Sequence, residues 1–307
     1  MSTLTLKLTG PAARGVRVPA AMLRDAVNTI VDAVQQSVRL RVDGRSRVAG
    51  ATPGWLERAS AFDVEIRAGS TELVMESSAM SKLVPERFAQ QDLFGLVGAR
   101  ESCLDVFSEA IDDALGDKLD SDRYDDSLIE TFTSFGQLFR HGVDRIEIVD
   151  RSTSRALDKE RIEGLKSLRR QIPGDQQAMV SGKLDLLRHS SRGFELHLDS
   201  GETVRGAVDD RTDFQALGPL IGCNVLATGR TTFRPSGQVL RLEADSVSLA
   251  DTGASIWSTM PRPLISALDT RDLHRSQGPR SGVAAIIGQW PGDETDEEFA
   301  SAVNALS

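Results

Sequence analysis

Cysteine and histidine are scarce in this chain of 307 residues, with two copies of one and four of the other. Cys103 and Cys223 stand alone in sequence, which excludes a disulfide framework and a cysteine-based zinc site. Each reads as a small buried hydrophobe. His141, His189, His197 and His274 show no metal-ligand spacing and no HExxH helix. No glycine-rich nucleotide signature follows a strand, and both the P-loop and the G-x-S-x-G elbow are missing. Adjacent carboxylates do occur at Asp112-Asp113, Asp125-Asp126 and Asp209-Asp210. Neighbours in sequence point apart on a helix, so such pairs are poor metal ligands. No apolar run approaches the ~20 residues of a membrane span. The start, Met1-Ser2-Thr3-Leu4, lacks the charged-then-apolar layout of a secretory signal. The expectation is a cytoplasmic, non-enzymatic chain with no cofactor, no metal and no membrane partner.

What is present is an ordinary globular composition, 40% hydrophobic and 26% charged, in a length that suits two domains. The net charge of −9 argues against broad nucleic-acid binding but leaves room for a local basic patch. Arg39, Arg41, Arg45 and Arg47 form such a cluster after the first helical stretch. From Gly288 onward the chain carries five carboxylates and no base.

Residues 1–150 read as an α+β domain, a sheet covered by helices. Leu4, Leu6 and Leu8 alternate with polar residues as a half-buried strand. Pro19 opens a helix whose stripe is Leu23, Val27, Ile30, Val34 and Val38. The stretch from Arg41 to Gly54 is expected as a loop. Phe62, Val64 and Ile66 alternate again, Gly69-Ser70 turns a hairpin, and Leu73 and Met75 return. Leu104, Phe107, Ile111 and Leu115 mark one further helix; Leu128, Phe132, Phe135 and Phe139 mark another, stopped by Gly142. Ile146 and Ile148 belong to a last strand. Residues 151–176 carry a weak stripe of Ile162, Leu165 and Leu168, expected as a linker helix.

Residues 177–248 alternate as a small five-stranded β-barrel. Its strands are expected at Ala178–Leu187, Phe194–Leu198, Glu202–Ala207, Asn224–Phe233 and Gln238–Val247, with a helical segment near Phe214–Ile221. The order β-β-β-α-β-β suits an OB-like barrel, with an SH3-like one as the other architecture. Arg230 and Arg234, with the Arg39–Arg47 cluster, would serve a nucleic-acid interface in a nucleic-acid-binding or scaffold subunit. The barrel's acids nearly match its bases, however, and Phe194 and Phe233 read as core rather than stacking platforms. Residues 249–287 lose periodicity and are expected as an extended tether.

Residues 288–307 are the most distinctive stretch. Trp290-Pro291-Gly292 breaks any helix, because Pro291 has no amide donor. Thr295 and Glu298 have the spacing of a capping box, and Asp296, Glu297 and Glu298 sit where the helix dipole favours acids. Phe299, Ala302, Val303 and Leu306 then make an apolar stripe on a short helix, too short to stand alone in water. The run from Gly288 to Glu298 resembles the C-terminal tail of small bacterial type II antitoxins, particularly VapB-like ones paired with PIN-domain ribonucleases. That resemblance covers roughly the last 25 residues. It implies a protein toxin as partner and ribonuclease inhibition as the activity. Trp290 would be the aromatic anchor, Pro291 and Gly292 the bend, and Phe299, Val303 and Leu306 the groove-filling face. Asp293, Glu294, Asp296, Glu297 and Glu298 would meet the toxin's basic rim or perturb its metal. Self-association of the first domain stays open at this stage.

Overall fold

The computed structural model describes residues 1–264, apart from 14–16, 49, 68–70, 89–97, 99, 151–152, 190–191 and 210–211. The first sheet starts from the alternation of its leading strand, β1 (Ser2–Thr9), whose Leu4, Leu6 and Leu8 are fully buried. Helix α1 (Ala20–Asp43) follows from Pro19 and buries Met22, Ala26, Ile30, Val34 and Val38. It runs further than its stripe suggests. Leu40 is buried as well, so Arg39 and Arg41 are helical, and the stop is Gly44 with a left-handed φ of 72°. The expected loop from Arg41 to Gly54 is thereby shortened at its front. Helix α2 (Gly54–Ala59) begins at its end and buries Leu56.

An edge hairpin comes next, β2 (Asp63–Arg67) paired antiparallel with β3 (Thr71–Ser77). Two single-turn helices, α3 (Met80–Leu83) and α4 (Pro85–Phe88), lead on to α5 (Cys103–Leu115). A capping box between Ser102 and Asp105 starts α5, satisfying two orphan N–H groups reciprocally. Helix α6 (Asp126–Thr133) is capped by Asp125 and passes into a 3₁₀ helix over Ser134–His141, ended by Gly142 at a φ of 85°. The phenylalanine stripe is core: Phe107, Phe132 and Phe135 are fully buried, with Phe107 and Phe132 edge to face at 6.0 Å between centroids.

Strands β4 (Arg145–Val149) and β5 (Ser154–Leu157) complete the sheet, in the order β2-β3-β1-β4-β5 with every pair antiparallel. Register places Leu6 across from Leu73 on one side and Ile148 on the other. Leu4, Leu6, Leu8, Leu73, Met75, Ile146, Ile148 and Leu157 therefore share one face, and the helices cover it. Helix α7 (Lys159–Gln171) adds Ile162, Leu165 and Leu168 to that same core. Residues 151–176, expected as a linker helix, thus contribute an edge strand and a helix to the first layer.

The second body is a closed five-stranded mixed barrel of β6 (Gln176–Arg188), β7 (Gly193–His197), β8 (Thr203–Val208), β9 (Asn224–Phe233) and β10 (Val239–Leu249). Its strands close in the order β10-β8-β7-β6-β9, with β8 and β10 parallel and the other pairs antiparallel. A 3₁₀ helix over Gln215–Leu220 joins β8 to β9 and buries Leu217 against the core. Two glycines permit the tight curvature. A Cβ at Gly182 would lie 2.7 Å from the carbonyl of His197, and one at Gly206 would lie 2.6 Å from that of Leu242 and collide with the Phe194 ring. Phe194 and Phe233 fill the interior as expected. Strand β10 continues to Leu249, and a short 3₁₀ helix over Ala254–Trp257 follows. The first part of the expected tether is therefore laid on the barrel: Met260 packs against its core, and the Gln176 amide holds Arg262 and Leu264.

Candidate binding surfaces

Residues Trp290, Pro291, Gly292, Asp293, Glu294, Asp296, Glu297, Glu298, Phe299, Val303 and Leu306, the expected partner-binding set, lie outside the described residues. The six arginines of the nucleic-acid alternative fall at two places. Arg39, Arg41, Arg45 and Arg47 lie at and just beyond the C-terminus of α1; Arg230 and Arg234 lie on β9 and the turn after it. Four of the six face carboxylates: Arg39 to Asp43 at 3.9 Å, Arg41 to Asp122 at 4.0 Å, Arg47 to Glu130 at 3.9 Å, and Arg230 to Glu243 at 2.6 Å and Asp175 at 3.6 Å. Their positive charge is largely compensated locally.

Two of the carboxylate pairs noted in sequence, Asp112-Asp113 and Asp125-Asp126, are split by the fold, and Asp210 of the third lies outside the described residues. Asp112 forks with Arg155, while Asp113 accepts from Lys118, Ser121 and Arg123. Asp125 caps α6 and holds Ser46; Asp126 forks with Arg169 at 2.8 and 3.0 Å. Among the described residues no group of three or more His, Cys, Asp or Glu is placed to hold a metal ion. His141 pairs with Asp25 at 2.9 Å and His197 with Asp185 at 3.3 Å, in separate bodies. Cys103 is buried beside Ser77, and burial pushes its thiol up to about 11; Cys223 is half-buried. No described helix is long and apolar enough to cross a membrane.

An open cleft of about 1610 Å³ lies on the barrel. One wall is the segment Trp257 to Pro263; the other is β6 with the turn at Arg234–Gly237. The strap is positioned by a side chain that imitates a strand. The Gln176 amide donates to the Arg262 carbonyl at 2.7 Å and accepts from the Leu264 N–H at 2.9 Å. Trp257 and Met260 give this cleft apolar surface, and Arg234 and Arg262 give it positive charge with no ion pair of their own among the described residues. The strap falls in the stretch expected as a tether because it has no periodicity; it is held by the distant Gln176 amide and by Met260 against the barrel core.

A second, smaller cavity of about 110 Å³ lies where the end of α1 meets β7, β8 and β10. Asp122 spans this seam, 4.0 Å from Arg41 on α1 and 3.8 Å from Arg205 on β8. Ser236 also donates its backbone N–H to the Leu119 carbonyl at 3.3 Å, a further contact between sheet layer and barrel.

Comparison with protein-family models, with curated proteins and with solved structures finds no match for this chain.

Proposed function

We propose that the chain is a non-enzymatic, antitoxin-like cytoplasmic protein that binds and neutralises a protein toxin, of the PIN-like ribonuclease class, through its C-terminal arm. The observation that carries this reading is the run from Gly288 to Glu298 with the apolar stripe Phe299, Val303 and Leu306 behind it. A break, an aromatic anchor, a capped acidic turn and an apolar helix face together make a helix-in-groove ligand for a basic surface. The barrel cleft supports a protein-binding role in a second way. A long, open trough walled by Trp257, Met260, Pro261 and Pro263 suits a polypeptide surface better than an enclosed small-molecule site.

The test is affinity capture from the native host with the full chain, a chain ending at Gly278, and Trp290→Ala. Co-purification of a small nuclease with the full chain alone, with its RNA cleavage suppressed, is the expected result. Trp290→Ala weakens that complex by ~30-fold or more if Trp290 is a hot spot. Equal capture by all three proteins overturns the reading.

A second reading is favoured by one observation. The barrel's strand order, first-second-third-fifth-fourth with third and fifth parallel, suits the OB-like architecture better than the SH3-like one. Such barrels take single-stranded nucleic acid on the second and third strands, here β7 and β8. On this chain Arg205 of β8 is engaged with Glu195 at 3.1 Å and with Asp122. A phosphate backbone would have to displace those carboxylates, so the protein-partner reading ranks first. Binding of single strands that collapses steeply with added salt would reverse the ranking.

A further inference from the structure

We propose that the seam between α1 and the barrel is an oxyanion site for a phosphate-class group. The site is built around Arg241. Strand β10 sends this side chain towards the C-terminus of α1, where it is only 5% exposed. One Nη donates to the backbone carbonyl of Asp43, and Gly44 leaves room for the guanidinium because any Cβ there would collide with it. The Nε meets no acceptor, and no carboxylate pairs with Arg241 among the described residues. Glu243, Asp43 and Asp125 act on Arg241 only from beyond ion-pair distance, and a buried cation with no contacting counter-charge is costly, so the site favours an anion or ordered water.

The cavity of about 110 Å³ opens on that guanidinium. Arg41, Arg188 and Arg205 line it too, against Asp43, Asp122 and Glu195. Those carboxylates have other commitments. Asp43 accepts from Arg87 at 2.9 Å and lies 3.9 Å from Arg39; Asp122 is shared by Arg41 and Arg205; Glu195 takes Arg205 at 3.1 Å. Behind Asp43, the Nε groups of Arg39 and Arg45 are also buried without an acceptor among the described residues. Arg41 and Arg205 are thus shared with acids while Arg241 has no contacting carboxylate among the described residues, and the space they line exceeds one water and accommodates a tetrahedral oxyanion.

Guanidinium groups present planar N–H forks that match phosphate oxygens, and they resist deprotonation where an ammonium would yield. Burial lowers Arg241 to about 10, which leaves it charged at neutral pH. An oxyanion here would bridge α1 and β10, tying the sheet layer to the barrel. Free phosphate and the phosphate monoester of a nucleotide share this chemistry.

The experiment uses the full chain, with isothermal titration and thermal unfolding in inorganic phosphate, in 5′-AMP, and in sodium chloride of matched ionic strength. Saturable binding and a rise in Tm beyond the chloride control are expected with at least one of the two phosphates. A response to both marks a site for the bare group; a response to 5′-AMP alone marks a nucleotide site. Arg241→Met is expected to abolish binding, Arg41→Gln and Arg188→Gln to weaken it ~tenfold each, and Arg58→Gln, exposed on α2 and outside the cavity, to leave it unchanged. Where Arg241→Met does not fold, the two rim variants decide. Phosphates that do no more than chloride, or binding undiminished in both rim variants, overturn the proposal.

Discussion

Arg155 and Arg241 are the two arginines buried among the described residues, one in each region, and they are satisfied in opposite ways. Arg155 projects from β5 onto the helix-covered face of the sheet, where Asp112 takes it as a fork and Asp150 accepts from it at 2.9 Å. It is 8% exposed, yet both carboxylates reach it from neighbouring elements of its own domain. Arg241 is buried to a similar degree, but among the described residues its hydrogen-bond acceptor is a backbone carbonyl, that of Asp43 on α1 across the seam. A charge paired inside one core belongs to the stability of that core. A charge left with a carbonyl at a junction is placed to recognise something.

The sharpest way to break this comparison is to remove each arginine and measure unfolding in denaturant without phosphate. Arg155→Met strands Asp112 and Asp150, and breaking such a pair costs about 3 kcal/mol or more. The midpoint should fall accordingly. If Arg241→Met proves costlier than Arg155→Met, the contrast drawn between them is wrong. Gly206→Ala is next in size. It drives a methyl against the Phe194 ring and the Leu242 carbonyl beneath the seam, an overpacking worth about 1–3 kcal/mol. Arg241→Met itself leaves only the Asp43 carbonyl without its donor, about 1 kcal/mol in the absence of ligand.

The carboxylates of the two regions give a pH test. Burial pushes Asp113 up, but Lys118, Ser121 and Arg123 outweigh it and hold the carboxyl below its usual range. Its stability contribution is present above the unfolded value near ~4 and is lost as pH falls through the lower folded one. Asp113→Asn should therefore flatten the acid limb of a stability–pH curve. Asp43 behaves oppositely: burial raises it, and Arg87 and Arg39 only partly counter that. Its contribution is complete below the unfolded value and declines as pH rises through the folded one. Asp43→Asn is expected to steepen the acid limb slightly; a flattening would show that its arginines dominate. The smallest effect belongs to Arg47→Gln, an exposed partner of Glu130, expected within about 0.5 kcal/mol of the parent by the same denaturation.

Much of the barrel was legible in advance because each strand buries one face and alternates with period two. Strand β9 spans Asn224–Phe233, the range its alternation indicates, and the other four strands are displaced by only one or two residues at most ends. The long helices of the sheet layer were readable from their stripes for the same reason. Short elements were not: α2, α3, α4 and β5 contain too few residues to show a period. The end of α1 was misjudged because arginines look alike in a loop and on a helix face, whereas Gly44 marks the true stop.

Sequence alone determined the α+β division, the five-stranded barrel and the acidic, tryptophan-bearing composition of the tail, because periodicity and composition are written within a few residues. Tertiary structure alone decided which charges meet. Arg41 and Arg241 are 200 positions apart, and Gln176 reaches its strap across 86. Whether an arginine is neutralised depends on partners that only the packing of α1 against the barrel brings near, and no local pattern encodes that choice.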